Sequence, residues 1–172
     1  TVVEPAASVL FDWALEVSEF APVIFDPNIR PAVINDREKY RAQVEKWVSI
    51  SSVVKVSEDD LNWLYPGEDH LEVAKRWIAN DVSVVVITRG AEGLVGVTSH
   101  GVVRVPGVKV DVVDTIGAGD TVGAVVAEAV ETIGLDELHS AALIVTLEKA
   151  ARAAAITCSR KGAQPPTARE LD

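Results

Sequence analysis

The run Val82-Ser83-Val84-Val85-Val86-Ile87 is apolar, largely β-branched, too short for a buried helix, and ends at Thr88-Arg89-Gly90. Such a run reads as a strand buried on both faces. Shorter runs of the same kind occur earlier, at Pro22-Val23-Ile24-Phe25-Asp26, stopped by Pro27, and at Ser52 to Val56. The segments between them have helical spacing. Val9, Leu10, Trp13, Val17 and Phe20 follow Glu4-Pro5 at steps of three and four, and Tyr40, Val44, Trp47 and Val48 follow Asp36. Ser57-Glu58-Asp59-Asp60 reads as a capped helix start, Asp69 to Asn80 as a further helix, and the Ala-rich stretch through about Thr157 as helical. Strands alternating with helices of this length predict an α/β fold with a parallel sheet covered on both faces. Leu94 to Thr98 and Val102 to Val105, flanking Gly101, add a small antiparallel hairpin.

At 172 residues and 48% hydrophobic, the chain can bury one ordinary core, so residues 1–172 are read as a single domain. A net charge of -10 with no basic run opposes binding to a nucleic-acid backbone. No apolar run approaches roughly 18 uncharged residues, and no basic segment leads into an apolar core at the N-terminus, which opposes membrane insertion or export. The single cysteine, Cys158, has no partner for an internal disulfide and reads as a buried packing thiol in a reducing, cytoplasmic compartment. There is no methionine, and the chain opens at Thr1, so a fragment of a larger protein is expected. His70, His100 and His139 lack ligand spacing, and Trp13, Trp47, Trp63 and Trp77 all fall at apolar helix positions expected to be core.

The seven residues Asp114-Thr115-Ile116-Gly117-Ala118-Gly119-Asp120 carry the most chemistry. Gly117 and Gly119 permit a tight turn where a helix should begin, and free N–H groups at a helix start stabilise anions. Asp120 on the same turn puts a carboxylate beside that anion hole, suited to take a proton from an attacking hydroxyl. The competing reading is a turn whose Asp only caps a helix. Gly117-x-Gly119-x-x-x-Gly123 misses the register of a dinucleotide fingerprint, and no Gly-Lys-Ser or Gly-Lys-Thr supports a Walker loop.

This stretch resembles the Asp-Thr-x-Gly-Ala-Gly-Asp signature of PfkB (ribokinase-like) carbohydrate kinases. The resemblance implies a ribokinase-like core with Asp120 as catalytic base and the Gly117, Ala118 and Gly119 amides as anion hole. Lys55-Val56-Ser57-Glu58-Asp59-Asp60 is similar to the family's Lys-x-Asn-x-x-Glu element, which implies that Lys55 and Ser57 lie near the nucleotide phosphates and Asp60 near Mg²⁺. Ser replaces Asn there and Asp replaces Glu. Thr88-Arg89-Gly90-Ala91-Glu92-Gly93 resembles the Thr-x-Gly-x-x-Gly loop, which implies ATP contacts at Thr88, Gly90 and Gly93. Ser159-Arg160-Lys161-Gly162-Ala163-Gln164-Pro165 resembles the segment that, with the Asp114 and Ile116 positions, encloses a monovalent cation such as K⁺ through oxygens, here implicating Arg160 and Gly162.

Phe25-Asp26-Pro27-Asn28-Ile29-Arg30-Pro31 is similar to fructokinases and 2-keto-3-deoxygluconate kinases. It implies that Asn28 and Arg30 contact the sugar and that fructose is the first acceptor to consider, ahead of a keto-deoxy sugar acid, ribose or a nucleoside. In that family much of the sugar grip comes from an N-terminal half and a small β-lid, neither of which appears in this sequence. A chain with only this part is expected to turn over poorly, to leave apolar surface and a sheet edge open, and to dimerise or to associate with the N-terminal half. The reading from a different class is a non-catalytic nucleotide-binding or dimerising module.

Overall fold

A computed structural model describes residues 5–171. Helix α1 (Ala6–Ser18) leads into strand β1 (Ile24–Phe25), helix α2 (Arg37–Val48) and strand β2 (Val53–Ser57). Helices α3 (Glu58–Leu64) and α4 (His70–Ile78) precede strand β3 (Val84–Thr88), and strands β4 (Leu94–Thr98) and β5 (Gly101–Val105) form the expected hairpin. Helices α5 (Ala118–Thr132) and α6 (Ser140–Cys158) complete the chain's long elements. The expected opening of the first helix at Glu4 lies outside the described residues; Pro5 occupies its N-cap.

The strands join in chain order, β1-β2-β3-β4-β5. The first three are parallel and the last two run antiparallel to their neighbours, so the hairpin extends the main sheet. Side chains alternate across each strand and build two cores. Val54, Val56, Val85 and Ile87 meet α2, α3 and α4, whereas Val53, Val84 and Val86 meet α5 and α6. Burial of both faces explains why these strands read as continuous apolar runs. At Gly96 on β4, an added Cβ would come within 2.9 Å of Leu143 and Leu147, so the small residue lets α6 lie close to the sheet.

The helix caps follow the expected chemistry. The Asp36 carboxylate accepts from the Lys39 N–H at 3.0 Å, and the Asp69 carboxylate accepts from Leu71 and Glu72. Asp69 thereby satisfies amides that would otherwise have no partner in the first turn of α4. Trp77 is fully buried, and its indole N–H donates to Glu45 at 3.4 Å.

Two expectations are corrected. Trp13 is not core: it is 62% exposed, and Val9, Leu10 and Phe20 are exposed with it. The buried side of α1 is formed by Ala7 and Ala14 instead, so the helix presents its larger apolar residues outward. The histidines are also less scattered than their spacing suggests, because the β4–β5 turn and the start of α6 bring His100 and His139 into a stack with ring centroids 3.9 Å apart. No helix among the described residues is long and apolar enough to cross a membrane.

These environments separate two tryptophans of equal size. Trp77→Ala should lower the unfolding free energy of this chain by about 3–5 kcal/mol, whereas Trp13→Ala should change it by less than about 0.5 kcal/mol, as read from urea denaturation.

Candidate active site

Parallel strands present their carboxyl ends along one edge, which is where open α/β sheets bind ligands. Asp26 follows β1, Ser57 ends β2 and Thr88 ends β3. The start of α5 comes to the same edge. Gly117 takes φ +81 at the N-cap, a left-handed conformation that side chains disfavour. A Cβ there would also approach the Ala163 Cβ to 2.9 Å, so the segment after α6 is packed directly on the turn.

The Ala118 N–H donates to the Thr115 carbonyl at 3.3 Å, and the first bond of the helix proper runs from the Thr121 N–H to the Gly117 carbonyl at 2.9 Å. Among the described residues, nothing accepts from the Gly119 or Asp120 N–H, and no side chain caps the helix. Of the three expected donors, the Gly117 and Gly119 N–H groups have no acceptor among the described residues and Ala118 is partly satisfied by Thr115, while Asp120 adds its own free amide beside its carboxylate. Asp120 itself is exposed on the first turn of α5.

Beside this turn opens a cleft of about 600 Å³. Thr88, Gly90 and Gly93 line one side, Ala118 and Gly119 another, and Ala151, Ala154 and Ala155 of α6 a third. Gly93 has φ +99, and a Cβ on it would fall 2.1 Å from the Val105 carbonyl oxygen, so only glycine lets this loop lie against β5. The small α6 side chains make the wall flat. Sequence reading did not single them out, because alanines at helical spacing carry no chemical signal of their own.

Cys158 also lines the cleft and is half-buried rather than a fully buried packing thiol. Its thiol pKa is pushed above the ordinary value, first by desolvation and then by the Asp114 charge.

Asp114 ties the turn to the segment after α6. One carboxylate oxygen accepts from the Ile116 N–H and the other from the Gly162 N–H, each at 3.0 Å. These amides stabilise the charged form and hold the Asp114 pKa below its usual value, with the Ile116 bond the larger cause. The expected grouping of Asp114, Ile116 and Gly162 is thus brought together. The Arg160 guanidinium donates to the Pro165 carbonyl at 3.2 Å and pairs with Glu170. Glu170 has its pKa lowered to about 2, chiefly by the Thr167 N–H and then by Arg160.

The remaining expected residues lie at the β1 and β2 ends and do not line the cleft. Ser57 and Asp60 complete a capping box: the Ser57 hydroxyl accepts from the Asp60 N–H at 3.0 Å, and an Asp60 oxygen accepts from the Ser57 N–H at 3.2 Å. The other Asp60 oxygen accepts from the Ile29 N–H at 2.9 Å, which ties the loop after β1 to α3. In that loop Asn28 adopts φ +40, and its N–H donates to Asp26 at 3.0 Å. Arg30 is partly engaged by its own loop. One of its terminal nitrogens already donates to the Asn28 and Ile29 carbonyls at 3.2 and 3.0 Å.

Lys55 is only 5% exposed, its ammonium donates to Asp26 at 2.7 Å, and the same nitrogen lies 2.8 Å from where a Cβ on Gly119 would stand. Lys55 therefore touches the start of α5. Asp26 is a residue to which sequence reading gave no role of its own. The signal was present: a lysine flanked by buried valines in the middle of a strand needs an acid close by.

A mostly parallel sheet with helices on both faces places the chain in the α/β class, and its solved neighbours show the ribokinase-like fold. The chain belongs to the pfkB family of carbohydrate kinases, whose family model it matches over residues 3–170. It is 37% identical over 129 residues to a fructokinase of Rhizobium leguminosarum bv. trifolii, an alignment covering 75% of this chain and 39% of that protein. It is 34% identical to fructokinase-1 of Zea mays, over 92% of this chain and 50% of that one. A double-mutant fructokinase of Vibrio cholerae O395, solved with fructose, ADP and potassium ion bound, superposes with a TM-score of 0.83 at 29% identity. That superposition covers 98% of this chain and 55% of the other. The chain thus spans about half the length, or less, of the relatives it matches.

Cys158 offers a direct reporter of the cleft. Alkylation at pH 8 should be slower than that of a small free thiol, because the raised pKa leaves less thiolate.

Proposed function

We propose that this chain carries the ATP-binding and phosphoryl-transfer part of a sugar kinase, with fructose as the preferred acceptor. The observation that carries this reading is the start of α5, where the free Gly119 and Asp120 amides and the Asp120 carboxylate share one turn beside the cleft. The amides and the positive end of the helix stabilise negative charge on the phosphoryl group in flight. Asp120 accepts the proton of the sugar hydroxyl as its oxygen bonds to the γ-phosphorus, the bond from that phosphorus to the bridging oxygen breaks, and ADP leaves. The cleft between the Thr88–Gly93 loop and the alanine face of α6 suits a flat, largely apolar base.

Mg²⁺, when bound with ATP, neutralises phosphate charge. Asp60 fits only an indirect part in this, since each of its oxygens already accepts a backbone N–H and retains one further lone pair for a metal-bound water. Asp114, held ionised between Ile116 and Gly162, fits a potassium site completed by the backbone oxygens of Ile116, Arg160 and Gly162. Such an ion would stiffen the turn that bears the amides. Asn28 and the free nitrogens of Arg30 are assigned to the sugar. The exposed Val9, Trp13 and Phe20 together with the β1 edge are assigned to contact with a further part of the same protein, and a cytoplasmic location fits the unpaired cysteine. Fructokinases among the relatives support the acceptor, and the bound fructose, ADP and potassium of the Vibrio cholerae protein support the ligand set.

The test is ATP consumption by the complete protein carrying this chain, against fructose, ribose, a nucleoside and 2-keto-3-deoxygluconate. Fructose should give the highest kcat/KM. Asp120→Asn should lower kcat by about 10²–10⁴-fold with little change in ATP affinity. Sugar-dependent turnover indifferent to Asp120→Asn would remove the proposed base, and absence of turnover with every acceptor would favour a binding module.

A further inference from the structure

Lys55 stands third in β2 among valines, and its side chain points to the α5 and α6 side of the sheet, opposite Val54 and Val56. An apolar residue of similar size would fill that space without the desolvation that a buried ammonium incurs. The charge is balanced by Asp26 at 2.7 Å. Ile24 pairs with Val53 and Phe25 with Val54, so the next step of the same register brings Asp26 alongside Lys55. Asp26 is itself held in place, because its other oxygen accepts the Asn28 N–H at 3.0 Å.

An ammonium has three hydrogens. Among the described residues, only Asp26 accepts from that of Lys55, and the nitrogen rests against Gly119 at the start of α5. A cation and the positive end of a helix repel each other when nothing lies between them. The arrangement becomes favourable when an anion bridges the ammonium and the free Gly119 and Asp120 amides. Asp26, with both oxygens engaged, is not placed to act as a base.

We propose that Asp26 is a positioning residue that holds the Lys55 ammonium against the α5 start, so that Lys55 faces the phosphoryl group being transferred rather than the rest of the nucleotide. This rests on the reading of the α5 start as the phosphoryl-transfer site. Asp26→Asn and Lys55→Met, each made in the complete protein carrying this chain, should lower kcat by about tenfold or more while the KM for ATP stays within about threefold. The double variant should be no slower than Lys55→Met alone, because Asp26 acts through Lys55.

Thermal melting confirms that each variant is folded at the assay temperature. If wild-type protein lacks sugar-dependent turnover, the functional reading fails. If wild-type turns over and folded Asp26→Asn keeps its kcat, or if the two losses multiply in the double variant, the positioning role is overturned and the pair only joins β1 to β2. Should Asp26→Asn not fold, Gly119→Ala supplies the same comparison, since its Cβ would displace the Lys55 ammonium. A loss of kcat in wild-type that is absent in the Lys55→Met background supports the proposal, and equal losses in both overturn it.

Discussion

A lysine ammonium placed within a hydrophobic layer must find a counter-charge, because desolvation of an unpaired ion costs several kcal/mol. In this protein the counter-charge is Asp26, and satisfying Lys55 fixes more than one bond. It holds the end of β1 against the middle of β2 and aims the ammonium at the first turn of α5. The Asp60 bond to the Ile29 N–H supplies a second tie, from α3 to the loop that follows β1. The sheet's carboxyl edge is thereby held by polar contacts, while valines hold its centre.

The start of α5 is braced from the opposite side. Ala163 packs on Gly117, and the Asp114 carboxylate spans from Ile116 to Gly162. The Thr121 hydroxyl bonds the Gly117 carbonyl at 2.8 Å and meets the Thr157 hydroxyl of α6 at 3.0 Å, so the two helices share a buried polar contact beneath the turn. A turn that leaves the Gly119 and Asp120 amides without acceptors is kept in shape by the groups packed and bonded around it. That is how an anion site can be preorganised before an anion arrives.

Much of this was legible in the residues. Apolar runs of strand length between helical spacings implied the layered sheet, and Asp36, Ser57 and Asp69 cap the helices that their positions announced. The Gly117-Ala118-Gly119-Asp120 turn was visible because few other sequences allow a left-handed cap followed directly by a helix. Trp13 misled, since helical periodicity shows that apolar residues share a face but not whether anything covers that face. The carbonyls of Asn28 and Ile29, onto which one Arg30 nitrogen folds, were not legible from its position after Asp-Pro-Asn.

The sequence by itself determined the succession of strands and helices along the chain, the Ser57 cap and the glycine turn that opens α5, because those depend on backbone preferences and spacings within a few residues. The tertiary structure decided which of those parts meet. Lys55 reaches Gly119 across 64 positions of chain, read from their numbers, and Asp114 reaches Gly162 across 48. It also decided which donors stay free, since Ala118 finds an acceptor in Thr115 while Gly119 and Asp120 do not. Contacts of that kind are set by how two cores pack on one sheet, and no local pattern of residues contains that packing.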